Sequence, residues 1–315
     1  MRLHLSILVS SFVLVLVVPI AYCDAKDNLQ YVVEVLAVVD KSLFEKWNAS
    51  IGVGSEENVL AEVKSLFFEV NILYQSLQRF NLSIEIRLKD VVFPSKSIVP
   101  DSAVKNRTVW ERQVGGFFNK WLKANPQYTY DHAMILTNHA MKGNTRVNGV
   151  ALTAATCRKD GTSRVRARLD YNTVITAAHE IGHSLGASHD NNKKKPCLKG
   201  YIMSPGPWVG SRNRFYFSEC SAGSIRWYVS KRLGAGSRNC LLKTTSLPIV
   251  SKRMGEIFDV YKMCKRKGKW IGSATKGDEV CKVVKCRDRR WSEKHNPPEG
   301  ISCGGGKYCY MGYCV

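Results

Sequence analysis

Residues 177–190 read AAHEIGHSLGASHD, and this stretch limits the fold more than any other part of the chain. It sets His179, Glu180, His183 and His189 within eleven positions, in a 315-residue chain that has only seven histidines. His179 and His183 are four apart, so an α-helix through them projects both imidazoles from one face, one turn apart. That spacing lets two nitrogens approach one zinc ion at about 2.0–2.1 Å. Gly186 is where the helix can stop, because glycine tolerates the left-handed backbone of a C-terminal cap. The turn brings His189 back as a third ligand and leaves a fourth coordination position open, as catalytic zinc requires. Glu180, beside the first histidine, can take a proton from a water that attacks a carbonyl, since zinc brings the pKa of such a water near neutrality.

The rest of the chain supplies a frame for that helix. YVVEVLAVVD (31–40) is a nearly continuous β-branched run, as in a strand buried on both faces. Residues 55–80 repeat apolar side chains at Val59, Val63, Leu66, Val70, Leu73 and Leu77, with Ser55 as N-cap, and predict a helix. LSIEIRL (82–88) alternates like a half-buried strand, 107–124 predicts a second helix, and HAMIL (132–136) starts another buried strand. The order strand, helix, strand, helix, strand predicts an α/β fold with a twisted, mostly parallel sheet. VNGVALTAATC (147–157) reads as an exposed edge strand, RVRAR (164–168) as a basic loop, 171–186 as the histidine helix and 222–233 as a last helix.

The N-terminus, MRLHLSILVSSFVLVLVVPIAYC, has the order of a signal peptide with cleavage near Cys23–Asp24, so residues 1–23 are expected to be removed and the product secreted. No later stretch has the roughly twenty apolar residues of a membrane span. Losing Cys23 leaves ten of eleven cysteines, an even number. Cys157, Cys197, Cys220 and Cys240 fall in the larger part, and Cys264, Cys281, Cys286, Cys303, Cys309 and Cys314 in the last, which favours two separately stapled domains. Four cysteines allow three connectivities. The domains are expected at 24–243 and 261–315, joined by a linker over 244–260. Sequons at Asn48, Asn81 and Asn106 suit a glycosylated product. The formal net charge of +21 would suggest nucleic acid in a nuclear protein. Outside the cell its counterpart is a sulfated glycan or an anionic surface, so neither nucleic acid nor membrane is expected as a partner, and a monomer is expected.

The full pattern H-E-x-x-H-x-x-G-x-x-H is the metzincin signature, and YIMSPG supplies Met203 for the methionine turn beneath the metal. With Asp190 directly after the third histidine, residues 30–243 resemble the adamalysin (reprolysin) branch, which includes the ADAM, ADAMTS and snake-venom metalloproteases. The resemblance implies a secreted zinc endopeptidase of extracellular-matrix or plasma proteins. His179, His183 and His189 would hold the zinc, Glu180 would be the general base, and Gly186, Asp190 and Met203 would give structural support. Gly149, Val150, Ala151 and Leu152 would pair with an extended substrate, and residues after Met203 would wall the pocket for the side chain following the cleaved bond. The pairing Cys157–Cys240 and Cys197–Cys220 is likewise what the resemblance implies. The family often has a calcium site. Glu34 and Asp131 match it, but Lys243 stands where the family has an Asn, so a bound calcium is not expected.

The tail GISCGGGKYCYMGYCV is similar to the end of the disintegrin-like module of ADAMTS proteases, with six cysteines where those modules hold eight. No room for a pro-domain is seen before the first strand, and the whole most resembles short salivary or venom metalloproteases of arthropods such as ticks. Two binding features compete with catalysis. Lys276-Gly277-Asp278 is an integrin-type tripeptide, and Lys265, Arg266, Lys267, Lys269, Lys282, Lys285, Arg287, Arg289 and Arg290 form a basic tail that would suit heparan-like glycans. The alternative to an enzyme is therefore a non-proteolytic binder of integrins, glycans or haemostatic factors on a protease scaffold. A degenerate protease usually loses a ligand or the glutamate, and none is lost here.

Overall fold

The computed structural model describes residues 29–51, 56–105, 108–142, 146–190, 197, 199–206, 209–234, 239–257, 259–266, 271–273, 276–288 and 291–315. The signal peptide, Ser55, Asn106 and the basic residues Lys267, Lys269, Arg289 and Arg290 lie outside them.

The first strand, β1 (Gln30–Val39), is buried along nine of its ten residues, as its unbroken apolar run predicts. Val33, Val35, Ala37 and Val39 face one hydrophobic cluster and Leu36 and Val38 the opposite one, the period of two expected of a pleated strand. After β1 come α1 (Lys41–Ile51) and α2 (Glu56–Gln75), which continues as a 3-10 turn over Ser76–Phe80. The six periodic residues from Val59 to Leu77 are all fully buried. Strand β2 (Ser83–Val92) pairs parallel to β1. The span expected as one helix from 107 divides into a short strand, β3 (Thr108–Trp110), and α3 (Glu111–Ala124), whose Val114, Phe118 and Leu122 cover the second face of the sheet. β4 (His132–Thr137) pairs parallel to β1 on its other side.

The chain then makes β5 (Ala140–Lys142) and β6 (Arg146–Val147), which join β3 in a small separate sheet. β7 (Gly149–Ala151) follows, and β8 (Thr162–Arg166) pairs parallel to β4. The main sheet has the order β2-β1-β4-β8-β7, and β7, antiparallel to β8, is its edge. The edge strand stops at Ala151, so Leu152 lies just beyond it.

One expectation is corrected. Residues 164–166 of RVRAR belong to the interior strand β8 rather than to a loop. Charge hid the strand: Arg164 lies half-buried, with its guanidinium in the space that the missing side chain of Gly115 leaves on α3.

The histidine helix, α4 (Tyr171–Ser184), is capped by Asp170, whose carboxylate accepts from the Thr173 amide at 3.1 Å. α5 (Glu219–Trp227) is capped by Ser218 and passes into a wider turn over Tyr228–Arg232, which divides the segment expected as a single helix.

Two disulfides, Cys157–Cys240 and Cys197–Cys220, close the larger part, and three, Cys264–Cys286, Cys281–Cys309 and Cys303–Cys314, close the tail. The tail contains α7 (Val260–Arg266), β9 (Ile271–Ser273), α8 (Asp278–Lys282), β10 (Val284–Arg287), β11 (Ser292–His295), β12 (Ser302–Gly304), β13 (Lys307–Tyr310) and β14 (Tyr313–Cys314). Its small core is largely cystine, with Val280, Val284 and Ile301 around it.

The segment between the two parts is not a loose tether. Lys252 O accepts from Ser65 Oγ at 3.1 Å, and Met254, at the start of α6 (Met254–Ile257), is buried in the main core. Its amide donates to Glu69 Oε1 on α2 at 2.8 Å, while the Gly255 amide donates to Glu299 O in the tail. Further bonds join the parts: Tyr216 Oη to Met311 O, Arg212 Nε to Gly312 O and Tyr310 Oη to Gln75 Oε1.

Two carboxyls, Glu69 and Glu299, are buried together in this junction. Burial raises Glu299 to about 7 against the Met311 amide, Arg253, Tyr171 and Arg214, which favour its charge. Burial and the neighbouring Glu299 raise Glu69 further. The unfolded chain ionises such groups near pH 4.5, whereas the folded chain holds the Glu299 proton up to about pH 7. Between those values the folded state binds more protons, so stability falls as pH rises. The melting temperature is expected to drop by several degrees between pH 5 and pH 8, and Glu299→Gln to flatten that drop in parallel calorimetric scans.

Candidate metal centre and cleft

α4 presents His179 and His183 from one face, and Gly186 ends it with φ +91°. A side chain at Gly186 would also sit 2.9 Å from Tyr228 Cβ. The turn lets His189 approach both helix histidines: its Nε2 lies 3.1 Å from Nε2 of His179 and 3.1 Å from Nε2 of His183. The opposite ring atoms decide the tautomers. His179 Nδ1 donates to Ile202 O and His183 Nδ1 to Ala187 O, each at 2.8 Å. Both of these Nε2 atoms therefore carry lone pairs, and both are aimed at His189 Nε2. Burial lowers all three imidazoles, His179 to about 3, and so favours the neutral form that binds metal. Three neutral nitrogen donors converging on one point fit a tetrahedral zinc with an open fourth position.

His132 shows the contrast. It is fully buried on β4, with its ring nitrogens 3.0 Å from Ser184 Oγ and 2.7 Å from Ser163 Oγ, so both are consumed within the core.

The supports of His189 are specific. Its neighbour Asp190 is 1% exposed, donates its amide to Met203 O at 2.9 Å, and accepts from Ser218 Oγ and Ser221 Oγ at 2.6 and 3.1 Å. Asp190 thus ties the third histidine to the methionine turn and to the start of α5. Met203 is fully buried and packs against Gly182, where an added Cβ would lie 2.5 Å from its sulfur. Gly182 was not singled out from sequence, although a glycine inside a helix costs about 1 kcal/mol and so marks a close approach.

Glu180 is 4% exposed and lines the same cleft as His179 and His189. Burial raises its carboxyl to about 8, opposed by the guanidinium of Arg164. Gly149, at the start of the edge strand, lies so close that an added Cβ would be 2.4 Å from Glu180 Oε1.

The cleft has a volume of about 810 Å³. The edge strand, α4 and the segment Ile202–Gly206 line it, and so do Glu293, Lys294, His295 and Asn296 of the tail. The participation of β11 was not legible in the sequence, and Arg214, which also lines the cleft, carried no local signal either.

Other expected sites fall elsewhere. Glu34 and Asp131 do meet, with the Glu34 amide donating to Asp131 Oδ2 at 2.9 Å. The ammonium beside Glu34 comes from Lys89, at 3.0 Å, and the Thr245 and Ser246 amides donate to its other oxygen. Burial opposes the Glu34 charge, yet these bonds bring its carboxyl down to about 2. Asp278 of the integrin-type tripeptide is engaged: one oxygen pairs with Arg212 and the other accepts from the Cys314 amide at 2.9 Å. Asn81 is exposed at the end of a 3-10 turn, whereas Asn48 lies within α1 with its side-chain oxygen buried. Among the described residues no helix is long and apolar enough to cross a membrane.

Comparison with known proteins places this geometry. The family model for metallo-peptidase family M12 (Reprolysin_5) matches residues 29–218. The human protein called a disintegrin and metalloproteinase with thrombospondin motifs 3 is 25% identical over 90% of this chain, and the mouse protein of the same series numbered 18 is 27% identical over 90%. The chain spans about a quarter of the length of these relatives, 24% and 23% respectively. Among solved structures, metalloproteinase-II from Bacteroides fragilis aligns over 66% of this chain and 55% of its own, at 16% identity and a TM-score of 0.41. With the family model covering well over half of its length, the chain belongs to metallo-peptidase family M12.

Proposed function

We propose that the protein is a secreted zinc endopeptidase that cleaves extracellular-matrix or plasma proteins, as the short arthropod salivary enzymes it resembles would. The observation that carries this reading is the convergence of three imidazole Nε2 atoms beside the buried Glu180 carboxyl in an open cleft. Zinc bound there supplies a Lewis acid that polarises the scissile carbonyl and makes a water nucleophilic at neutral pH. His179, His183 and His189 hold it, and the carbonyls of Ile202 and Ala187 fix the two helix rings. Glu180 takes the proton of the attacking water and passes it to the leaving amine. β7 hydrogen-bonds β8 along one side, and its free side receives the extended substrate through Gly149, Val150 and Ala151. Five disulfides fit an oxidising, extracellular setting. The pairing of Glu34 with Lys89 favours a chain stabilised there without calcium. The complete ligand and base set favours catalysis over a binding scaffold, and the engagement of Asp278 disfavours integrin capture.

Hydrolysis of denatured collagen or fibrinogen is expected, and o-phenanthroline should abolish it. Glu180→Ala should lower kcat roughly 10²–10⁴-fold with an unchanged circular dichroism spectrum; equal activity would refute the assignment of the base. Gly149→Ala should cost at least roughly tenfold in kcat/KM, because its Cβ displaces the Glu180 carboxylate, a loss of about 1.4 kcal/mol or more in transition-state stabilisation. Lys285 and Arg287 are exposed on one face of β10, with Lys294 opposite Lys285 in register, a layout suited to sulfated glycans. Replacing Lys285 and Arg287 together by Glu should move elution from a heparin column to lower salt.

A further inference from the structure

Arg214 is the unexplained group of the cleft. It sits in the 3-10 turn Arg212–Phe215, 2% exposed, with its guanidinium 4.4 Å over the ring of Phe215. Among the described residues none of its three side-chain nitrogens has a hydrogen-bond partner. A buried charge normally keeps its place by pairing, and leaving several donors empty is costly. The Glu299 carboxyl does not relieve it: Oε2 accepts from the Met311 amide at 2.8 Å and Oε1 accepts from Tyr171 Oη at 3.4 Å. Glu299 acts on Arg214 only through its charge, and burial lowers the guanidinium to about 10, which leaves it protonated at neutral pH.

Arg214 belongs to the lining of the cleft, but its three nitrogens are themselves covered in the free protein, so a substrate group reaches them only as the guanidinium turns outward. Arg214 lines the same cavity as His179 and Glu180, together with Ser204, Pro205 and Val209, the segment that follows Met203. The family resemblance assigns that segment to the pocket for the side chain following the cleaved bond. Thr173 and Thr176 of α4 add hydroxyl-bearing side chains to the same lining. An apolar substrate side chain entering here would leave the guanidinium unsatisfied, whereas a carboxylate can accept from two of its nitrogens at once. A site built to pair a charge rejects the analogue that lacks it more strongly than an apolar pocket rejects a change of size.

We propose that Arg214 is a specificity-determining residue that directs cleavage to bonds followed by glutamate or aspartate. The inference rests on the endopeptidase reading and narrows it to acidic substrate segments. It goes beyond that reading because the ligands, the base and the edge strand are indifferent to side-chain charge at this position.

The test has an arm on the substrate side and an arm on the protein side. Cleavage of a proteome-derived peptide library by the zinc-loaded protein should enrich Glu and Asp immediately after the scissile bond. In a peptide chosen from those products, changing that Glu to Gln should lower kcat/KM at least tenfold, and changing it to Leu should lower it further. Arg214→Met should reverse the order, favouring Leu, and Arg214→Lys should keep part of the preference for Glu. A wild-type profile with apolar residues dominant at that position overturns the proposal, and so does an Arg214→Met protein that keeps its preference for Glu. Should Arg214→Met not fold, the Glu-to-Gln comparison on the wild-type protein decides alone. Binding separates this inference from the catalytic reading. The Glu180→Ala protein should retain acidic peptides from the same library, and Glu180→Ala with Arg214→Lys should retain fewer. Acidic retention without any wild-type cleavage would sink the endopeptidase reading and leave the Arg214 site standing, whereas indifferent retention would sink the site.

Discussion

Two hydrogen bonds from ring nitrogens to main-chain carbonyls govern this molecule. By donating Nδ1 to Ile202 O and Ala187 O, His179 and His183 turn their lone pairs toward His189. Nitrogens crowded at that separation need a proton or a cation between them, so the surrounding structure has to hold the rings in place. Gly186 ends the helix where the chain must turn back, Met203 fills the space beside Gly182, and Asp190 anchors the returning chain to Ser218 and Ser221. These contacts join α4, the methionine turn and the start of α5 around the three rings.

The tail meets the same site from outside. Three disulfides close it, while Met254 of the preceding segment and Met311 of the tail pack into the main core, and β11 lies on the rim of the cleft. The junction includes two buried carboxyls and Arg214, groups that a purely structural interface would avoid because removing charge from water is costly. Arg214 lines the cleft and feels the charge of Glu299 in that junction.

Much of this could be read from sequence. The spacing of His179, His183 and His189 around Gly186 determined the helix, its end and the return of a third donor, because the α-helical period leaves no other way to bring those rings together. The β-branched run of β1 and the repeat from Val59 to Leu77 determined a sheet covered by helices, since only burial of those faces removes them from water. Local charge misled at β8, where Arg164 occupies an interior strand because α3 presents a glycine opposite it. Contacts between distant residues were decided by tertiary structure alone. Lys89 beside Glu34, Arg212 on Asp278, and Arg214 with Glu293–Asn296 around one cleft all bring together residues dozens of positions apart. Periodicity reports which face of an element is buried, but not which element will cover it, and the pairing of charges across that gap exists only once the chain has folded.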